Sequence, residues 1–346
     1  MLYGHGDNGY QLGGGIIADF STNVWYGGEP AGLKEHLFGQ WGQIRKYPEV
    51  VAESLAVKAG HHHGLEPGNI LISNGATESI YLIAQAFSGR RSAIVTPSFS
   101  EYEDACRLNG HRLEFIQWND LEDLAAGPSA AYSGMPDLLW LCNPNNPTGA
   151  VFTGVEALLR AHPGTLVIAD EAFIAFTRSI GSAIPLLHRY PNLVILRSLT
   201  KSFAIPGLRL GYIVAGGEVV KKIQAFKMPW SVNAMALEAG HFIFDHYPSI
   251  GIPLDRLFAD KEAFVRRLQE LRIGVHESHT HFFLCETTHG NARELQQYLL
   301  DTSRVLIRDA GNFRGLDGRH FRLATLAPHQ NQLLINALEE WQRQCA

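Results

Sequence analysis

Lys201 is flanked by small hydroxyls and apolar residues rather than by other charges, in Arg197-Ser198-Leu199-Thr200-Lys201-Ser202-Phe203. It follows the apolar run Leu193–Leu196, and Arg209 stands eight residues further on. A lysine taken out of water loses basicity and becomes the kind of amine that condenses with carbonyl compounds. Asp170-Glu171 follows a second apolar run, Leu166–Ala169. A carboxylate at the end of a buried strand is costly unless it meets a cation or a donor. Asn143-Pro144-Asn145-Asn146-Pro147-Thr148-Gly149 follows a third run, Leu138–Cys142; its Asn-Pro steps fix a rigid turn that aims amide groups outward. Asn74-Gly75-Ala76-Thr77-Glu78 follows a fourth, Ile70–Ser73. A Gly turn opening a helix exposes backbone N–H groups suited to an anion, though alone it is also an ordinary cap.

These groups complement one another. They offer an amine for an imine, a carboxylate for a pyridinium nitrogen, an amide for a phenolate-like oxygen, and a helix start with Arg209 and hydroxyls for a phosphate. Such a set suits pyridoxal 5'-phosphate.

The elements that must position them are apolar runs without alternation: Ile70–Ser73, Ala93–Thr96, Leu113–Gln117, Leu138–Cys142, Leu166–Ala169, Leu193–Leu196 and Leu210–Val214. Continuous apolar character marks strands buried on both faces of a mostly parallel sheet. Helical patterns lie between several of them, such as Glu78–Phe87 and Val155–Ala161. The expectation is an α/β fold, with a three-layer α/β/α large domain over 46–230 and a seven-stranded sheet. Residues 1–45 are Gly-rich and read as an irregular arm. Residues 231–346 read as a smaller α+β C-terminal domain. It would have helices over Ala234–Asp245 and Leu254–Leu271, strands over Phe282–Cys285, Arg304–Ile307 and Phe321–Ala324, and a closing helix over 330–343.

Composition excludes several classes. The 346 residues are 46% hydrophobic and 18% charged, an ordinary globular balance. Lys and Arg number 29 against 34 Asp and Glu, a net charge of −5, which is no footprint for nucleic acid. No apolar run reaches membrane-spanning length. Cys106, Cys142, Cys285 and Cys345 form no C-x-x-C pair, and the N-terminus carries no secretory pattern, so a cytoplasmic location is expected. His61-His62-His63 reads as a solvated stretch after a helix, since successive residues point different ways, and no metal is expected. Asp104, Cys106 and His111 show no site spacing, and Gly13-Gly14-Gly15 lacks the preceding strand a dinucleotide loop needs.

The motifs Cys-Asn-Pro-Asn-Asn-Pro-Thr-Gly (142–149), Asp-Glu-Ala-Phe (170–173) and Ser-Leu-Thr-Lys (198–201), in that order, resemble the fold-type I pyridoxal phosphate enzymes of the class I/II aminotransferase branch. The resemblance spans nearly the whole chain. It implies that Lys201 binds the cofactor covalently and shuttles a proton, that Asp170 partners the pyridine nitrogen, and that Asn146 donates to the ring oxygen. Phe99 resembles the stacking aromatic. Gly75, Ala76, Thr77, Ser198, Thr200 and Arg209 resemble the phosphate cup. Tyr47 resembles a tyrosine that reaches the cofactor phosphate of a neighbouring subunit, which implies a homodimer. Arg322 resembles the arginine for the substrate α-carboxylate. Phe173 stands where many relatives carry a tyrosine. Together with Met228–Ala234, Ala204–Tyr212 and His5-Gly6, it resembles the threonine-phosphate decarboxylases of cobalamin assembly; the histidinol-phosphate aminotransferases come next. The implied substrate is a phosphorylated amino acid, with Arg308, His5 and Asn23 as candidate phosphate anchors. A catalytically idle cofactor-binding sensor module is the alternative from another class.

Overall fold

The computed structural model describes residues 15–127 and 135–345. Strand β1 (Ala18–Asp19) lies in the expected arm. The seven apolar runs then form β2 (Ile70–Ser73), β3 (Arg91–Thr96), β4 (Arg112–Gln117), β5 (Leu138–Cys142), β6 (Leu166–Asp170), β7 (Leu193–Ser198) and β8 (Gly211–Ala215). They join in one sheet of order β2-β8-β7-β6-β5-β3-β4. Pairing is parallel from β7 to β4, and β8 runs antiparallel to both β7 and β2.

Burial explains why these runs were continuous. Along each strand, alternate residues enter two different cores. Leu139, Leu141, Val167, Ala169, Leu193 and Ile195 pack on one face of the sheet. Leu138, Trp140, Ile168, Val194 and Leu196 pack on the other. Both sets are covered by helices, among them Gly75–Ala86, Glu101–Leu108, Val155–Ala161 and Ala234–His246. Because β5, β6 and β7 run in one direction, Cys142, Asp170 and Ser198 end side by side. The turns that follow them meet at one rim, where α/β sheets bind ligands.

A second, smaller sheet has the order β12-β13-β10-β9, built from β9 (Gly274–Val275), β10 (Phe282–Glu286), β12 (Arg308–Asp309) and β13 (His320–Ala324). Its apolar face closes over Phe264, Leu295, Leu299 and Leu338 from three helices, together with Phe20 from the arm.

Two segments differ from the sequence expectation. The expected strand Arg304–Ile307 is split. Arg304 takes a left-handed conformation (φ 51°) that ends the helix Ala292–Ser303. Then β11 (Val305–Leu306) pairs parallel with β1, and the chain crosses to the other sheet as β12. The stretch 15–45 is not irregular throughout: besides β1 it carries the helix Leu33–Gly39, pinned by buried Leu33. No helix among the described residues is long and apolar enough to cross a membrane.

Candidate active site

A cavity of about 770 Å³ opens at the rim where β5, β6 and β7 end. Its walls include Asn23, Ala76, Thr77, Phe99, Asn146 and Asp170, and further round Phe173, Ser198, Thr200, Lys201, Arg209, Arg308 and Arg322. Residues from eight separate stretches of sequence thus converge on one volume, of ordinary size for a small-molecule site.

Each is held for a definable reason. Asp170 ends β6 on the cavity floor, 4% exposed. Its Oδ2 accepts from Tyr102 Oη at 2.6 Å and its Oδ1 from the Ala172 amide at 2.9 Å. Burial pushes its pKa up, while these two donors pull it back. Asp170 is therefore a buried carboxylate whose hydrogen-bond donors are both neutral. Lys201 sits in a loop fixed on several sides. Its carbonyl accepts from the Trp25 amide at 2.9 Å, Leu199 N donates to Leu210 O, and Ile205 N donates to Thr200 O.

The three asparagines of the 143–149 turn divide the work. Asn143 bonds the backbone of Phe152 in both directions, and Asn145 holds Pro97 O and Thr148. That rigid frame leaves Asn146 facing the cavity, where its Oδ1 accepts from Arg322 Nη1. Arg322 is itself buried and also donates to Ser21 O. No carboxylate lies within ion-pairing distance of it among the described residues, and burial pushes its pKa down.

One end of the cavity, suited to an anion, is built on the N-terminus of helix Gly75–Ala86. Gly75 has φ 76°, and a Cβ there would come within 2.5 Å of Arg209 Nη2. A Cβ on Gly211 of β8 would come within 2.7 Å of Ala76 N. The turn and the guanidinium can approach only because both positions are glycine. Ser198 Oγ and Thr200 Oγ1 lie 2.8 Å apart beside them.

This donor set fits pyridoxal phosphate. A buried carboxylate met only by neutral hydrogen-bond donors suits a protonated ring nitrogen. The glycine-shaped turn with Arg209 suits a dianionic phosphate. In addition, Asn23 Oδ1, Ser98 Oγ and Arg322 Nε are buried with no partner among the described residues, as expected where a polar guest completes the site.

The sequence profile described as aminotransferase class I and II matches residues 17–340. The chain belongs to that family. Its members are pyridoxal phosphate enzymes, and the fold is the fold-type I arrangement. The threonine-phosphate decarboxylase of Salmonella typhimurium strain LT2 is 34% identical over 332 residues, covering 93% of this chain and 90% of its own. A histidinol-phosphate aminotransferase of Caldanaerobacter subterraneus subsp. tengcongensis is 30% identical over 326 residues, covering 90% of each. The crystal structure of L-threonine-O-3-phosphate decarboxylase from Porphyromonas gingivalis superposes with a TM-score of 0.89 at 41% identity, covering 94% of this chain and all of that one.

Measured against the sequence expectations for this family, two residues stand apart. His5 lies outside the described residues. Tyr47 is 86% exposed and does not line the cavity; its ring packs against Trp230, 5.4 Å between centroids. His61 and His62 are exposed, as the solvated reading expects, and only His63 of the tract departs from it. All three form the last turn of helix Glu53–His63, and His63 Nε2 meets Tyr212 Oη at 2.9 Å. His111 is a satisfied core histidine, bonded to Ser92 Oγ and Ala84 O.

Several site residues carried no signal in the sequence. Tyr102 reaches Asp170 across 68 residues of chain. Arg314 grips Glu103 with contacts of 2.9, 3.0 and 3.2 Å and lies 3.9 Å over the Phe115 ring, bolting the loop after β12 to helix Glu101–Leu108 across the cavity mouth. Glu78 Oε2 accepts from Asn74 N and from Lys227 Nζ, and Lys227 Nζ also donates to Ser231 Oγ. That network fixes the first turn of helix Gly75–Ala86 from behind.

Proposed function

We propose that this protein decarboxylates O-phospho-L-threonine to (R)-1-aminopropan-2-yl phosphate and carbon dioxide, a step in cobalamin assembly. The observation that carries the reading is the likeness to threonine-phosphate decarboxylases over almost the whole chain. The geometry is compatible with it. When bound, pyridoxal phosphate supplies an electron sink for the pair left at the substrate Cα, for whichever bond stands perpendicular to its ring.

The residues of this chain do the rest. Lys201 anchors the cofactor and then serves as the amine that moves a proton at Cα. Asp170 keeps the ring nitrogen protonated, Phe99 covers the ring, and Asn146 addresses its oxygen. Gly75, Ala76, Thr77, Ser198, Thr200 and Arg209 hold its phosphate. Arg322 receives the substrate carboxylate. Its buried charge, left without a carboxylate partner by the described residues, is suited to an anionic guest. Arg308 receives the substrate phosphate, with Asn23 beside the site. Its Nη2 donates to Asn312 Oδ1 at 2.9 Å and its Nη1 to Asp309 O, so the guanidinium is held against its own loop on the cavity wall. Two anchors fix which Cα bond is presented, and orientation of this kind can be worth about 7–11 kcal/mol of barrier.

The deciding experiment uses O-phospho-L-threonine labelled in the carboxyl carbon. Label should leave as carbon dioxide. Label retained in a keto acid, with the amino group passed to the cofactor, would overturn the reading in favour of a histidinol-phosphate-type aminotransferase, the second reading that the Caldanaerobacter relative supports. Arg308→Lys keeps charge but loses the planar fork. One charge-assisted hydrogen bond is worth about 1.5–3 kcal/mol, so preference for phosphothreonine over threonine should fall roughly tenfold to a hundredfold.

The proposed assembly is a homodimer in which Tyr47 serves the neighbouring site. Phe38, Trp41, Ile44, Tyr47, Met228 and Trp230 are all exposed, a run of large apolar groups that a single chain leaves in water. Sedimentation should give twice the chain mass, and a monomer would exclude the shared site. A cytoplasmic location is proposed from the cysteines: Cys106, Cys142 and Cys285 are buried and unpaired with each other.

A further inference from the structure

On the small sheet, away from the cavity, three potential metal ligands share one face. Glu286 ends β10 directly opposite His320 at the start of β13, and opposite Gly274 of β9 on its other side. His276 lies two residues beyond Gly274, its amide bonded to Leu284 O at 2.9 Å, which continues the ladder. Alternation along the strands therefore sends His276, Glu286 and His320 to the same side. One ligand atom from each lies within 4.8 Å of the others.

We propose that His276, Glu286 and His320 form a binding site for one zinc-class divalent cation. The distances suit it. His276 Nε2 is 2.9 Å and His320 Nε2 is 3.6 Å from the same oxygen, Glu286 Oε1. Two ligand atoms at about 2.0–2.1 Å from a tetrahedral ion sit about 3.4 Å apart, between those two values. Behind the cluster, His320 Nδ1 lies 2.8 Å from Asp317 Oδ1 and 3.3 Å from the Asp317 amide nitrogen. A carboxylate behind a ligating imidazole is also the usual second layer of such sites. The other oxygen, Glu286 Oε2, lies 3.5 Å from Arg319 Nη2, which leaves Oε1 to the two imidazoles.

Two imidazoles and a carboxylate select zinc, or cobalt and nickel, over magnesium and calcium. Half-exposed His276 leaves the fourth position to water. The ion would pin the ends of three neighbouring strands. One of them is β13, on which Arg322 lies two residues beyond His320 and on the same face.

The test uses the untagged holoenzyme, stripped with chelator and titrated with zinc chloride by calorimetry, with bound metal measured after dialysis. One zinc per chain at micromolar affinity or tighter is expected. His276→Ala and Glu286→Gln should each weaken binding at least about tenfold, and Asp317→Asn about tenfold to a hundredfold. Zinc should raise the melting temperature of the parent protein and not that of Glu286→Gln. Cobalt should give a visible ligand-field band that His276→Ala lacks, and near-ultraviolet circular dichroism of each variant checks its fold. The competing site is the tract at 61–63. Zinc binding abolished by His61→Ala with His62→Ala, or unchanged by His276→Ala and Glu286→Gln, would overturn the proposal. So would the absence of saturable binding.

Discussion

Lys201→Ala should lose the visible absorption of the lysine-linked cofactor and fall in turnover by roughly a thousandfold or more, about 4 kcal/mol of barrier. Position and support both argue for an effect of this size. Lys201 lines the same cavity as Asp170, and its loop is tied to the arm, to Leu210 and back on itself. A side chain on so fixed a backbone delivers its amine to one place, the condition under which proximity effects are large. Lys201→Arg separates the explanations. It keeps a positive charge but cannot form the covalent link or act as a neutral base near pH 7. If charge alone mattered, Lys201→Arg would retain activity and absorption; the proposed role requires that both variants lose them. Normal turnover in Lys201→Ala would end the assignment of the site.

The large sheet was legible because both of its faces are covered. Apolar residues therefore run without interruption, and only the ends drift: the run Ala93–Thr96 extends to Arg91, and Leu193–Leu196 extends to Ser198. The two-residue strands β1, β9 and β12 were not legible, since two residues carry no period, whereas β11 lies inside the expected strand Arg304–Ile307. Helix Glu101–Leu108 was hidden for another reason. It buries Glu101, Glu103 and Asp104 along with Tyr102 and Cys106, so polarity gives no stripe. Glu103 is buried because Arg107 and Arg314 both reach it, and Arg314 lies 211 residues away.

The candidate site divides along the same line. Asn146, Asp170 and Lys201 each follow a strand that the pattern reveals, and parallel strands bring their ends together. Sequence therefore indicates both residue type and place. Tyr102, the Glu78–Lys227 pair and the Arg314–Glu103 bolt act from helices and loops whose meeting depends on the packed fold. Tyr47 differs again. Its ring is exposed and packs on Trp230 rather than into the cavity, so its role rests on the homodimer proposed above.

Asp170→Asn should retain the cofactor yet slow the chemical step between tenfold and a thousandfold. An opposite charge within about 4–6 Å moves a pKa by about 1–3 units, so a neutral amide leaves the ring nitrogen mostly unprotonated and the electron sink weak. Retention is expected because the phosphate cup, Lys201 and Asn146 are untouched. A loss smaller than about tenfold, or 1.4 kcal/mol, would remove Asp170 from the proposed role. Tyr102→Phe gives the graded companion. It deletes one hydrogen bond to the charged Oδ2, worth about 1.5–3 kcal/mol, so the rate should fall by no more than about a hundredfold. Its pH signature is the sharper test. Burial already pushes the Asp170 pKa up, and the Tyr102 hydroxyl opposes that by bonding the charged form. Without the hydroxyl the pKa must rise further. Asp170 then takes up its proton at a higher pH as acid is added, and activity that needs the carboxylate charge is lost earlier. The acid limb of the rate profile should therefore move to higher pH in Tyr102→Phe and should disappear in Asp170→Asn. If the limb stayed put in Tyr102→Phe, the group titrating there would not be Asp170, and the charge that holds the ring proton would have to be sought elsewhere in the cavity.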